Sequence, residues 1–356
     1  MTDPVAWDVA LRVARQAVRY ASPLDPATQR RVEDDFAEAT ARAEGLVEEV
    51  TGLSSSKGPA RARVMDRAGW VEVNVGSFRR LLRPVGERLA ASATTRRALN
   101  PASRAAAGVE VGLVLSWMSG RVLGQYDMLG GDGDDDGDVV YYVGPNVVSL
   151  ERRHGFPPQE FRLWIALHEV THRLQFTGVP WMHEHFLGMV ERGAALTTPD
   201  TKAILQSVRR AAAEVRAGNN PLADGGIIGL LATSEQLATL HEAQALMSLL
   251  EGHGDVVMAR AGERQVPGAA RFARVLKERR ESASGVARAV QQMIGIEAKM
   301  RQYAEGERFI EEVTRAGGDE LLALVWRSPE MLPTLEEIRE PQRWVARVGG
   351  TQHAAV

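Results

Sequence analysis

The sequence predicts a mainly α fold of the α+β class: a helical protein with a small β-sheet beside one buried helix. Three observations lead there. Over most of the chain the apolar residues recur at three-to-four spacing, the period of a helix. Alternation at period two is read in short stretches around residues 70–75 and 139–150, and strands are few. Between Phe161 and Phe176, apolar residues occupy two sides of the predicted helix. Phe161, Trp164, Ile165 and Phe176 make one stripe and Leu163, Leu167, Val170 and Leu174 the other, the pattern of a helix inside a core.

The 356 residues are 44% hydrophobic, enough for a substantial core. They are read as one domain, 1–356, in which residues 1–130 form a helical N-terminal lobe covering the sheet. The 43 basic and 46 acidic residues leave a formal charge of -3 and give no tract for nucleic acid and no patch for a membrane surface. Cysteine is absent, which excludes disulfides, thiolate nucleophiles and cysteine-ligated zinc and leaves histidine and carboxylate as metal ligands. Met1-Thr2-Asp3-Pro4 opens without the basic and apolar regions of a leader, and no apolar run approaches the roughly 18 residues that span a bilayer. A cytoplasmic protein is expected.

In chain order, Val5 to Tyr20 and Thr28 to Val50 read as helices separated by the paired prolines of Ser22-Pro23-Leu24-Asp25-Pro26. Ser54-Ser55-Ser56-Lys57-Gly58-Pro59 is a loop. Trp70 to Val75 alternates and reads as a strand, after which Ser77 caps a helix towards Ala91. Asn100-Pro101, a cap followed by a residue preset for the first turn, opens a long helix to Tyr126. Gly108, Gly112, Gly120 and Gly124 thin one side of it and allow a neighbouring helix close. In the acidic stretch Gly130 to Asp138, residues Asp132, Asp134, Asp136 and Gly137 match the opening of a calcium-binding EF-hand loop. Val143 stands where the closing glutamate is required, so a solvated loop is the preferred reading and calcium the alternative.

Val139 to Val143 and Asn146 to Leu150 read as a strand pair joined across Gly144-Pro145, either a support for the helix that follows or an edge for an extended peptide. Beyond Gly178 the predicted helices are Pro180 to Leu196, Pro199 to Arg216, Ser234 to Gly262, Ala269 to Arg280 and Gly285 to Ala316, with shorter ones after Asp319 and Pro329.

The chemistry centres on His168-Glu169-Val170-Thr171-His172. Pro157-Pro158 can start the helix where a missing N–H costs nothing, and no breaker intervenes before Gly178. On it the two histidines lie one turn apart and can reach a single cation, while Glu169 projects about 100° round, placed as a base towards water on that cation. Histidines in a buried helix need partners, and a metal supplies them.

A catalytic zinc takes a third protein ligand. His183, Glu184 and His185 read either as candidates or as polar helix surface. Glu251 and Asp255, one turn apart at the end of the apolar run Leu237, Leu240, Ala243, Leu246, Met247 and Leu250, fit better. Glu251 can ligate while Asp255 hydrogen-bonds the far nitrogen of a ligating histidine. Gly252 and Gly254, at about 1 kcal/mol each in a helix, make sense if this helix must approach the metal helix closely. The alternative ends the helix at Gly252, leaves Glu251 in solvent and makes His253 the rival ligand.

His168-Glu169-x-x-His172 followed by Glu251-x-x-x-Asp255 resembles the gluzincin branch of the zinc metallopeptidases, whose third ligand is a downstream helix glutamate and whose following aspartate orients a histidine. Ser119 to Asp127, the metal helix, Leu250-Glu251-Gly252-His253 and Lys299-Met300-Arg301-Gln302-Tyr303 are similar to actinobacterial zincin-like proteins associated with deazaflavin-coenzyme biosynthesis. The resemblance covers most of the chain and implies a zincin-like fold and one zinc ion on His168, His172 and Glu251. The chain departs from gluzincins in a long helical insertion between His172 and Glu251, and no glycine loop supports direct binding of a nucleotide coenzyme.

The expected activity is hydrolysis of an amide or peptide bond by zinc-activated water, with Glu169 as general base and Tyr303, Arg301 or His253 as donor to the developing oxyanion. The rival is a non-catalytic helical protein with a structural zinc, or a retired peptidase acting as a partner in deazaflavin metabolism. A fourth protein ligand, His253 or His183, would mark that rival.

Overall fold

The computed structural model describes residues 3–20, 23–91, 100–128, 138–195, 234–263, 265–281 and 296–353. The elements in chain order are α1 (Trp7–Val18), α2 (Pro26–Thr51), β1 (Arg61–Met65), α3 (Arg67–Ala91), α4 (Pro101–Ser119), β2 (Gly124–Tyr126), β3 (Val139–Val143), α5 (Gly144–His154), α6 (Pro158–Thr177), α7 (Met182–Ala195), α8 (Ser234–Gly262), α9 (Ala269–Glu281), α10 (Ile296–Ala323), α11 (Leu335–Arg339) and α12 (Pro341–His353). They fall into two compact units, residues 1–180 with 257–281 and residues 181–256 with 282–356. The mainly helical α+β class is as expected, and the stretch read as an N-terminal lobe belongs to the first unit. No helix among the described residues is long and apolar enough to cross a membrane.

The first unit is built on a three-stranded sheet of order β1-β3-β2. β1 runs parallel to β3, from Arg61 opposite Val139 to Met65 opposite Val143; β2 is antiparallel, with Gly124 opposite Tyr142 and Tyr126 opposite Val140. All five residues of β3 are buried, because helices cover both faces. On one face Tyr142 stacks on Phe36 of α2 at 3.8 Å between ring centroids, and its hydroxyl shares a 2.7 Å hydrogen bond with Thr40. Tyr126, on the same face, lies 6.3 Å from Phe176 of α6. On the opposite face Val143 joins Trp7, Trp70, Val71, Val75 and Leu115 from α1, α3 and α4.

Local signals set most helix ends. Asp25 accepts from the Thr28 N–H ahead of Pro26, and Gly52 ends α2 in the left-handed region at φ 69°. Asn100 accepts from the Ser103 N–H to start α4. The thin side of α4 seats α1 as expected: a Cβ on Gly108 would lie 2.6 Å from the Ala6 carbonyl oxygen, and one on Gly112 2.5 Å from that of Ala10.

Three expectations are corrected. Trp70 to Val75 is helical, inside α3, and Ser77 is a buried mid-helix residue donating to Asp127 rather than a cap. The misreading traces to Asn74, a polar residue at a buried position, where its amide donates to the Trp70 carbonyl and accepts from Gln125. Asn146 to Leu150 is also helical, since Pro145 occupies the first turn of α5 instead of turning a hairpin; the neighbours of β3 are β1 and β2. Lastly, the long helix from Pro101 stops at Ser119, and Gly124 to Tyr126 is strand. The expected helix Pro199 to Arg216 and residues Asp132, Asp134 and Asp136 lie outside the described residues.

In the second unit Ala245 and Leu249 of α8, Phe309, Ile310 and Val313 of α10 and Trp344 of α12 form the core. Gly252 is no helix end, for α8 runs through to Gly262. Its close approach is to α10, where a Cβ on Gly252 would lie 2.2 Å from the Gly306 carbonyl carbon and one on Gly306 1.9 Å from the Ser248 carbonyl oxygen. Backbone thus meets backbone with no room for a methyl group. Gly306→Ala is expected to lower unfolding stability by about 1–3 kcal/mol in denaturant titrations. Gly45→Ala, in α2 with nothing within 4 Å of the added Cβ, is expected to raise it by about 0.5–1 kcal/mol.

Candidate metal centre

Between Phe161 and Thr177 every residue of α6 is buried except His168 and His172, which are half-buried. Over that span the helix therefore shows an accessible surface only where its two imidazoles sit. Their Nε2 atoms converge to 3.2 Å. Two ligand nitrogens bound tetrahedrally at 2.0–2.1 Å from a zinc ion are roughly 3.3 Å apart, so the rings already stand as a metal requires. His172 Nδ1 lies 2.9 Å from Gln175 Oε1. An amide oxygen only accepts, so Nδ1 carries the hydrogen and Nε2 presents its lone pair.

Glu169, on the buried side, is held by the sheet. Its Oε2 accepts from the Tyr126 N–H at 3.2 Å. A Cβ on Gly124 would lie 2.6 Å from Glu169 Cγ and 2.8 Å from Oε1, so only glycine lets β2 pass this close.

Two buried arginines fix the rest of α6. The Arg173 guanidinium pairs with both carboxylate oxygens of Asp138 at 2.9 and 2.6 Å and with Glu44 at 2.5 Å, and donates to Ser55 Oγ at 3.1 Å and the Gly58 carbonyl at 2.6 Å. Burial works against its charge, but the hydrogen bonds and charges of Asp138 and Glu44 outweigh it and hold its pKa above the usual value. The nearby Tyr126 phenol is also pushed up, by burial first and by the Asp138 charge second. At the other end of the helix Arg162 pairs with both oxygens of Glu151 at 2.8 and 2.9 Å, and with Asp35.

Among the described residues, His168, His172 and Glu251 form the only group of histidine and acidic side chains with the donors to hold a metal ion, one ligand atom from each lying within 4.8 Å of the others. Two imidazole nitrogens and a carboxylate oxygen are a donor set that suits zinc. Glu251 is buried on α8, and Asp255 follows one turn later, half-buried. His253 is buried too, its ring 4.9 Å from that of Trp326 and edge-on to it. His183 is half-buried on α7, and His185 faces Glu242 at 3.5 Å. Arg301 and Tyr303 belong to α10, and their side chains lie outside the described residues.

Sequence reasoning did not assign Gln175, Gly124, Tyr126 or Arg173 to the site. Gln175 was within reach, because three residues along a helix from His172 is hydrogen-bonding distance. Gly124 and Tyr126 were not, since nothing local announces a contact with Glu169, 45 and 43 positions away.

Compared with solved structures, the chain is similar to a crystal structure of a candidate hydrolase with a novel fold from Chloroflexus aurantiacus. The identity is 29% and the TM-score 0.72, over 97% of this chain and 99% of that one. None of the curated proteins compared with it matches. A family model described as zincin-like metallopeptidase matches residues 5–345. With nearly the whole chain inside that match, the protein belongs to the zincin-like metallopeptidase family.

Proposed function

We propose that the protein is a zinc-dependent hydrolase of amide or peptide bonds, with His168, His172 and Glu251 as metal ligands and Glu169 as general base. The observation that carries this reading is the convergence of two imidazole Nε2 atoms to 3.2 Å at the two half-buried positions of the otherwise buried span from Phe161 to Thr177. Zinc held there supplies a Lewis acid and a water acidified to a pKa of about 7.

Glu169 takes the proton of the attacking water and returns it to the leaving amine. The Tyr126 N–H fixes its carboxylate, and Gly124 leaves it room. β2 is an edge of the sheet, and Leu123 accepts from the Val143 N–H on the inner side. By the alternation of an antiparallel ladder the Gly124 N–H and C=O point outward, where an extended substrate can bond to them. Asp255, one turn from Glu251, is assigned to orient a histidine. Tyr303, Arg301 and His253 are the candidate donors to the oxyanion, and the His253 ring lies against Trp326. Among the described residues the group offers three ligand side chains, the number an open catalytic site takes.

Two sets of variants test this. Glu169→Gln is expected to keep stoichiometric zinc and abolish turnover of peptide and amide substrates; full activity in that variant removes Glu169 from its role. Gly124→Ala is expected to keep zinc as well, with turnover reduced about 100-fold, as the added methyl displaces the carboxylate.

Metal content by elemental analysis should fall in the order wild type, Asp255→Asn, Glu251→Ala, since loss of an outer hydrogen bond weakens affinity about 10- to 100-fold while loss of a ligand largely empties the site. Stoichiometric zinc in Glu251→Ala, together with its loss in His253→Ala, would show that the ligand set is wrong.

A further inference from the structure

A cavity of about 320 Å³ lies in the first unit between α2, α5 and the start of α6. It is of the size that takes a small molecule. Glu151, Phe156 and Arg162 are buried and make its floor, whereas Arg31 and Arg152 are exposed and stand at its rim. Arg162 precedes His168 by six residues, about 9 Å along α6 and about 120° round it, so the cavity is separate from the imidazoles.

The floor is short of one positive charge. Arg162 serves two carboxylates, donating to both oxygens of Glu151 at 2.8 and 2.9 Å and to Oδ2 of Asp35. Asp35 also lines the cavity; its side chain is 23% exposed, and its Oδ1 has no hydrogen bond among the described residues. The rim has the opposite imbalance. Arg31 stands one turn before Asp35 on α2, the spacing at which the two would pair, but Asp35 is turned to Arg162 and Arg31 forms no ion pair among the described residues. Around Arg152 the positions three and four away hold Val148, Ser149, Gly155 and Phe156, none of them acidic, and Arg152 likewise forms no ion pair among the described residues.

Together the two imbalances select a ligand that carries both signs. An anion alone would meet the Asp35 carboxylate, and an amine alone would meet two guanidinium groups. An α-amino acid carries its ammonium and its carboxylate on one carbon. Arg31 and Asp35 are neighbours on the helix surface, about 5–6 Å apart at Cβ, and a guanidinium fork suits paired carboxylate oxygens. Val148, Phe156 and Pro158 add apolar lining beside these charges.

We propose that this cavity binds a free α-amino acid with an apolar side chain. Arg31 and Arg152 hold its carboxylate, Asp35 Oδ1 accepts from its ammonium, and its side chain lies against Val148, Phe156 and Pro158. The site goes beyond the hydrolytic reading above and does not rest on it.

The test is isothermal titration calorimetry on the full chain with four compounds: L-phenylalanine, L-leucine, 3-phenylpropionate, which lacks the ammonium, and phenethylamine, which lacks the carboxylate. At least one of the two amino acids is expected to bind, and both of the truncated compounds at least about tenfold more weakly, a difference of about 1.4 kcal/mol. Arg31→Gln with Arg152→Gln, both exposed and so compatible with an unchanged circular dichroism spectrum, is expected to weaken amino-acid binding at least about tenfold. Absence of binding by both amino acids overturns the site. Binding that is indifferent to the double substitution places the amino acid elsewhere on the protein and overturns it as well. Should 3-phenylpropionate bind as tightly as phenylalanine, Asp35 has no part in recognition and the α-amino-acid assignment falls.

Discussion

The guanidinium of Arg173 is a full charge with no exposure to solvent, and much of the layer around α6 is arranged to answer it. Burying such a group costs several kcal/mol unless every donor finds an acceptor. The acceptors come from three segments: Glu44 from α2, Ser55 and Gly58 from the loop after it, and Asp138 from the threshold of β3. Because Arg173 directly follows His172, satisfying it fixes how α6 is rotated. A slip of one residue would turn both imidazoles about 100° away from their opening.

Arg162, eleven residues or about three turns earlier on the same side of α6, repeats the device with Asp35 and Glu151. Asp35 and Glu44 both belong to α2, so the two helices lie side by side in the same direction, joined at two points. Buried ion pairs of this kind add little net stability compared with apolar packing. What they define here is register, and register is what a pair of convergent imidazoles needs.

The centre of the site was legible in the sequence because its signal is local. Two histidines four apart, a glutamate between them and proline before the first turn all act within one helix, and that helix forms over the predicted residues. The sheet was less legible. β1 reads Arg-Ala-Arg-Val-Met, an alternation only five residues long with no β-branched or aromatic residue but Val64, and becomes a strand because β3 offers it a parallel partner. Asn74 misled because it is a buried amide, bonded to the Trp70 carbonyl and to Gln125, so a polar letter stood at an inward position and disturbed the helical period. Gly252 announced a close contact correctly, but a sequence cannot say with which element; the partner is Gly306.

Glu169 takes its hydrogen bond from the backbone of Tyr126 and its clearance from the missing side chain of Gly124, two residues of a single three-residue strand. That edge strand is therefore also the mounting of the proposed base. Anything that tugs β2 outward, such as a peptide clasping its outer edge, shifts the carboxylate with it, and a ligand that leaves β2 unmoved leaves the carboxylate where it was. Occupancy of the edge and the aim of the Glu169 carboxylate are thus mechanically one variable, set by a strand too short to bend between its two tasks.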